Sequence, residues 1–232
     1  MYKIQLTKIN KCFKNGFCLN NITFEVNGGE IFGFLGANGA GKTTTIRILL
    51  RLIEPDSGSA SLLNDKMPLS WNKIGIVLED EKPFDGLTPY EYLDFFATYY
   101  SINSGEKRTK IEDILKRFYL YDLKDIKIKN FSKGMKRKLT ISKALLHKPS
   151  IIIMDEPFEG IEPESRRDIK ETLKRFAHMS KIVFLSTHNL DEAENFCSSF
   201  GIIKQGKFIN KWDMKELNCS LEEFFLKRTS KG

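Results

Sequence analysis

Apolar and polar residues alternate over residues 3–9 and 22–26, the two-residue period of half-buried strands. Ile31–Leu35 is apolar without interruption, which predicts a short strand buried on both faces. After the glycine-rich stretch 36–41 the period lengthens. Ile46, Leu49, Leu50 and Ile53 share one side of a helix predicted to stop near Pro55-Asp56-Ser57-Gly58. Strands are predicted again over residues 59–63 and 73–78.

From Thr88 to residue 123 the period is helical. Thr88-Pro89-Tyr90-Glu91 has the spacing of a capping box with proline at the first helical position, so this helix start is well specified. The α/β alternation resumes with a strand at Ile151–Asp155, a helix over 164–179, a strand over 182–186 and a short helix capped by Asn189, with Glu192 three residues on. A hairpin turning at Gly206 and a tail helix from Ser220 follow. The predicted organisation is a single domain. An α/β core with an antiparallel β part covers 1–87 and 150–212, a helical subdomain is inserted at 88–149, and a short helical tail covers 213–232. There is no internal repeat or low-complexity segment.

Composition narrows the class. With 232 residues, 41% hydrophobic and 29% charged, the chain reads as soluble and globular, and its apolar runs fall far short of the roughly 18 residues that span a bilayer. A membrane role is expected to be peripheral. The N-terminus lacks the pattern of a secretory signal. Cys12, Cys18, Cys197 and Cys219 are spaced as neither a zinc site nor a disulfide framework, so a reducing cytoplasm is the expected compartment. The net charge of +7 suits a nucleotide, a nucleic acid or anionic lipid, but the basic residues are dispersed, as on a solvated surface.

The chemistry sits in a few short stretches. Gly36, Ala37, Asn38, Gly39, Ala40, Gly41, Lys42 and Thr43, followed by Thr44, fit G-x-x-x-x-G-K-[ST] between a buried strand and a helix. Such a loop wraps phosphate oxygens with backbone N–H groups, sends the lysine to the β- and γ-phosphates and offers the threonine hydroxyl to Mg²⁺. Asp155 ends a buried strand, where a carboxylate can hold Mg²⁺ or its waters, and Glu156 is placed as general base for an attacking water. His188, just after the strand over 182–186, is expected to contact the γ-phosphate. Asn210-Lys211-Trp212-Asp213 matches a guanine-recognition pattern, but no aspartate has glycine three residues later, so the match is accidental.

With these residues the chain resembles the ATP-binding subunit of ABC transporters over nearly its whole length. Phe131-Ser132-Lys133-Gly134-Met135 aligns with that family's signature. The resemblance implies that Ser132 and Gly134 contact ATP held by an opposite subunit, with Phe13 stacked on adenine and Glu79 standing for a glutamine that joins Mg²⁺ to the membrane partner. Gly160-Ile161-Glu162-Pro163 resembles the D-loop, with glutamate for the usual aspartate. Lys136, Arg137 and Lys138 fit a solvated helix face as well as any role.

The implied fold is a P-loop NTPase core, a mixed sheet flanked by helices, with an N-terminal antiparallel β subdomain and an inserted α-helical signature subdomain. The implied activity is Mg-dependent ATP hydrolysis by a homodimer or paralogue dimer. This dimer would drive export through a transmembrane permease of separate chains at the cytoplasmic face of the membrane, without nucleic acid. The motif wording is most similar to prokaryotic ABC-2-type exporters. The rival is a soluble ABC ATPase acting on ribosomes or DNA. Phe84, Leu87, Tyr90, Tyr92, Phe95 and Phe96 crowd the region where the family docks its permease, and one or two of them are expected at that surface.

Overall fold

The computed structural model describes residues 2–63 and 71–229. In chain order its elements are β1 (Lys3–Cys12), β2 (Cys18–Asn27), β3 (Ile31–Leu35), α1 (Lys42–Leu49), β4 (Ser57–Leu62), β5 (Ile74–Val77), α2 (Pro89–Tyr99), α3 (Ser104–Arg117) and α4 (Lys133–Leu146). Then come β6 (Ile151–Asp155), α5 (Pro163–Ala177), β7 (Ile182–Thr187), α6 (Leu190–Glu194), β8 (Ser199–Lys204), β9 (Lys207–Asp213) and α7 (Leu221–Thr229). The class is α/β, as the alternating pattern predicts. The last three residues of the expected tail lie outside the described residues. No described helix is long and apolar enough to cross a membrane.

Contacts divide the chain into two compact units, residues 1–69 with 177–232 and residues 70–176. In the first, the strands lie in the order β4-β1-β2-β9-β8-β3-β7. The β1 strand pairs antiparallel with β2 and β4, while β3 runs parallel to β7 and β8. Every residue of β3 and β7 is buried, which is why β3 and the first four residues of β7 read as unbroken apolar runs. Phe24, Phe32, Phe34 and Phe184 form the aromatic heart of this unit, with ring centroids 5.3 to 6.4 Å apart.

Two expectations are corrected in this unit. The α1 helix ends at Leu49, short of Ile53, because Arg51 turns left-handed (φ +55°) and the amides of Leu52 and Ile53 fold back onto the carbonyl of Arg47. The cysteines also do not all stand apart. Cys12 and Cys18 are cross-strand partners in the β1–β2 hairpin, their Cα atoms 4.1 Å apart, and are joined by a disulfide. Cys197 and Cys219 are free thiols.

In the second unit β5 and β6 form a parallel pair, and α4 packs on β5 and against α2 and α3. Both halves of the capping box are made at the start of α2. The Glu91 amide donates to the Thr88 hydroxyl at 3.2 Å and the Thr88 amide to the Glu91 carboxylate at 2.7 Å. The basic run at the start of α4 is not a solvated face. Arg137 and Lys138 are each 7% exposed. Lys136 pairs with Asp85 at 2.7 Å, Lys138 with the buried Asp168 at 2.6 Å, and Lys143, further along the helix, with Glu81 at 2.5 Å.

These pairs differ in what their loss should do. Asp168→Ala leaves the Lys138 ammonium buried without its counter-charge and should cost about 3–5 kcal/mol. Lys136→Ala breaks a pair with an exposed partner and should cost no more than about 1 kcal/mol. Urea unfolding of the two variants checks the ordering.

Candidate functional site

In the first unit the parallel register does the positioning. Leu35 of β3 and Thr187 of β7 sit on the same rung, so the Gly36 loop and His188 leave from one edge, at the carboxyl ends of parallel strands where α/β sheets gather their ligands. His188 is exposed there, beside the Asn189 cap whose side chain accepts from the Glu192 amide.

The loop needs its glycines. Gly39 (φ +78°) and Gly41 (φ +111°) are left-handed, a backbone that costs other residues about 1–2 kcal/mol. A Cβ on Gly36 would stand 2.6 Å from the carbonyl oxygen of Ile203. The loop is tied to the β8–β9 turn by the Gly206 amide, which donates to the Ala40 carbonyl at 2.9 Å. Lys42, 6% exposed, curls back so that Nζ donates to the carbonyls of Gly36 at 2.7 Å and Ala37 at 3.3 Å. Thr45 locks the first turn of α1 by donating to the Gly41 carbonyl at 2.8 Å, leaving Thr43 and Thr44 half-buried at the helix start. Backbone amides, a helix N-terminus and an ammonium converging on one turn make a receptor for phosphate oxygens.

Phe13 lies in the turn between β1 and β2 and is half-buried, not a core aromatic. Its turn is next to the phosphate-type loop. A Cβ on Gly41 would stand 3.1 Å from the ring of Phe17, whose centroid is 6.4 Å from that of Phe13. Sequence reasoning missed Phe17, because nothing in its spacing tells a loop aromatic from a strand-end one.

The second unit repeats the logic of register. Val77 of β5 and Met154 of β6 are partners, so Leu78-Glu79 and Asp155-Glu156 leave adjacent strands at one end. Asp155 is 1% exposed and Glu156 is 6% exposed. Glu156 has a left-handed backbone (φ +43°), the kind of sparsely populated geometry that clusters at working sites. Partial desolvation, then the charges of Asp155, Glu159, Asp80 and Glu156, raise the carboxyl of Glu79 above the ordinary glutamate range. Carboxylates that repel one another in this way favour a divalent cation. Among the described residues no group of three His, Cys, Asp or Glu side chains is arranged to hold a metal alone.

The signature-like residues stand at the start of α4. Ser132 is its N-cap, accepting from the Met135 amide at 3.2 Å. Gly134 is covered by its own D-loop-like segment, where a Cβ would stand 2.5 Å from Glu162 Oε2 and 2.6 Å from Ser165 Oγ. The ammonium of Lys133 lies over Gly160 in the same segment. Arg137, which sequence reasoning left undecided, donates from its two terminal nitrogens to the carbonyls of Leu78 and Glu79, at 3.0 Å each.

The chain is similar to known proteins in sequence and in fold. Residues 19–159 match the family described as ABC transporter. The linearmycin resistance ATP-binding protein LnrL of Bacillus subtilis (strain 168) is 37% identical over 89% of this chain and 68% of its own length. A Nod factor export ATP-binding protein I of Paraburkholderia xenovorans (strain LB400) is 32% identical over 96% of this chain and 76% of its own. A solved ATP-binding subunit of an ABC transporter superposes with a TM-score of 0.85 at 29% identity, covering 97% of this chain and 99% of that one.

Two glycine variants separate loop from signature. Gly36→Ala pushes a methyl group onto backbone that cannot step aside, and should weaken binding of a fluorescent ATP analogue by about tenfold or more, about 1.4 kcal/mol. Gly134→Ala sets its methyl against Glu162 Oε2 at 2.5 Å, Ser165 Oγ at 2.6 Å and Ser165 Cβ at 2.9 Å, a crowding confined to its own unit, and should leave that affinity unchanged. Fluorescence titration of both variants is the check.

Proposed function

The chain belongs to the ABC transporter family as an ATP-binding, ATP-hydrolysing subunit, and on that premise we propose how its residues work and what they drive. The amides of the loop from Gly36 to Thr44, with Lys42, hold the β- and γ-phosphates of ATP, and Phe13 stacks on the adenine. Thr43 would offer Mg²⁺ its hydroxyl and Asp155, helped by Glu79, its carboxylate, and the ion would neutralise charge developing on the phosphates. Glu156 takes a proton from a water whose oxygen bonds to the γ-phosphorus as the bond to the ADP oxygen breaks, and His188 steadies the γ-phosphate. Ser132 and Gly134 contact ATP held by a second copy or a paralogue.

One observation carries this reading: the Gly36 loop and His188 emerge from the same rung of β3 and β7. That juxtaposition places a histidine beside a phosphate-type loop, although the two are far apart in the chain.

Export is the proposed work. The relatives above are named for resistance to linearmycin and for Nod factor export, and the motif wording points the same way. A permease surface is supported on α2 and the loop before it, where Phe95 and Tyr99 of the helix and Phe84 of the loop are exposed. Leu87, Glu91, Asp94, Phe95, Thr98 and Tyr99 line a shallow groove of about 580 Å³ there. Tyr92, by contrast, is core. Peripheral attachment at the cytoplasmic face of the membrane follows from such docking. The substrate would be chosen by the permease.

Glu156→Gln removes the proton acceptor and keeps the shape, so turnover should fall by about 100-fold or more while ATP affinity is retained. Turnover at the wild-type rate in that variant would overturn the assignment of the base. Separately, the tagged chain purified from detergent-solubilised native membranes should bring down a multi-spanning membrane protein in stoichiometric amount. Ribosomes or DNA-bound proteins in its place would favour the soluble rival.

A further inference from the structure

Three cationic side chains of α4 join the signature helix to β5 and the segment that follows it. Arg137 donates to two successive carbonyls, those of Leu78 and Glu79, at 3.0 Å each. Lys143, two turns on, reaches the Ile76 carbonyl at 3.1 Å and the Glu81 carboxylate at 2.5 Å. At the other end Lys136 pairs with Asp85 at 2.7 Å. Of these cations only Arg137 holds backbone alone, and it does so while 7% exposed. The planar guanidinium spans two adjacent carbonyls in a way that an ammonium on a flexible stem does not. A buried cation with no carboxylate bonded to it is costly, so the hold on two carbonyl oxygens accounts for an arginine here.

What Arg137 holds is the backbone from which the Glu79 carboxylate extends, and that carboxylate feels the charges of Asp155 and Glu156. The same side chain stands one turn into the helix that Ser132 caps and whose first turn holds Gly134. We propose that Arg137 is a positioning residue for hydrolysis: by clamping the Leu78 and Glu79 carbonyls to α4 it fixes the Glu79 carboxylate beside Asp155 and Glu156. It also makes that segment and the signature turn one rigid piece. Arg137 works through Glu79. The inference rests on the roles proposed above for Asp155 and Glu156.

The test is a double-mutant cycle in the full chain, with Arg137→Lys, Glu79→Ala and both together. Arg137→Lys keeps the charge but loses the two-pronged hold. Its kcat should fall by about 100-fold, the size of loss that a misplacement of about 1 Å can produce. Affinity for a fluorescent ATP analogue should stay unchanged, and amide hydrogen exchange over residues 78–82 should become faster. The double variant should be no slower than Glu79→Ala, because both changes act on one group. If the lysine variant does not melt cooperatively, Arg137→Gln, which keeps one amide donor, takes its place. Losses that multiply in the double variant, or unchanged exchange over 78–82, overturn the proposal. Wild-type protein without ATP turnover would sink the hydrolysis mechanism and this inference with it. An active wild type matched by Arg137→Lys would sink this inference alone.

Discussion

Two parallel strands that stop on the same rung must deliver their next residues to the same edge of the sheet. The site residues of each unit depend on that constraint. Leu35 opposite Thr187 sets the Gly36 loop beside His188, and Val77 opposite Met154 sets Glu79 beside Asp155 and Glu156. A slip of one residue in either pairing would turn every side chain of that strand to the opposite face. The buried strands therefore do more than fill a core. Their aromatic and branched residues fix register, and register fixes the chemistry.

Much of this was legible because it is local. Ile31–Leu35 and Ile151–Asp155 were read with their observed limits, since an unbroken apolar run bounded by loop residues has few other ways to fold. Thr88 and Glu91 announced their helix, since both halves of the cap lie within one turn. The phosphate-type loop was readable from the order of glycines, lysine and threonine. The end of α1 was not, because Arg51 adopts a left-handed backbone that no glycine or asparagine advertises. Nor was the Cys12–Cys18 bridge, which depends on the register of the β1–β2 hairpin and not on cysteine spacing alone.

The basic run of α4 shows the limit most clearly. Read along the chain, Lys136, Arg137 and Lys138 look like charge on a solvated face. In the fold each has a partner far away in sequence: Asp85, the carbonyls of Leu78 and Glu79, and Asp168. The positive charge of this run is thus engaged by partners within the chain. No single-sequence rule could have paired these groups, because burial of a cation is decided by what the rest of the chain brings to meet it.

The Cys12–Cys18 bridge closes the turn that bears Phe13 and Phe17 into a small covalent ring. A ring of this size limits how far the turn can open, whatever happens to the surrounding hydrogen bonds. Nucleotide affinity measured on this chain therefore belongs to a stated thiol condition. Protein handled with a strong reductant and protein handled without one are two chemical species at the Phe13 turn. Their nucleotide affinities are comparable only after free sulfhydryls have been counted in each preparation.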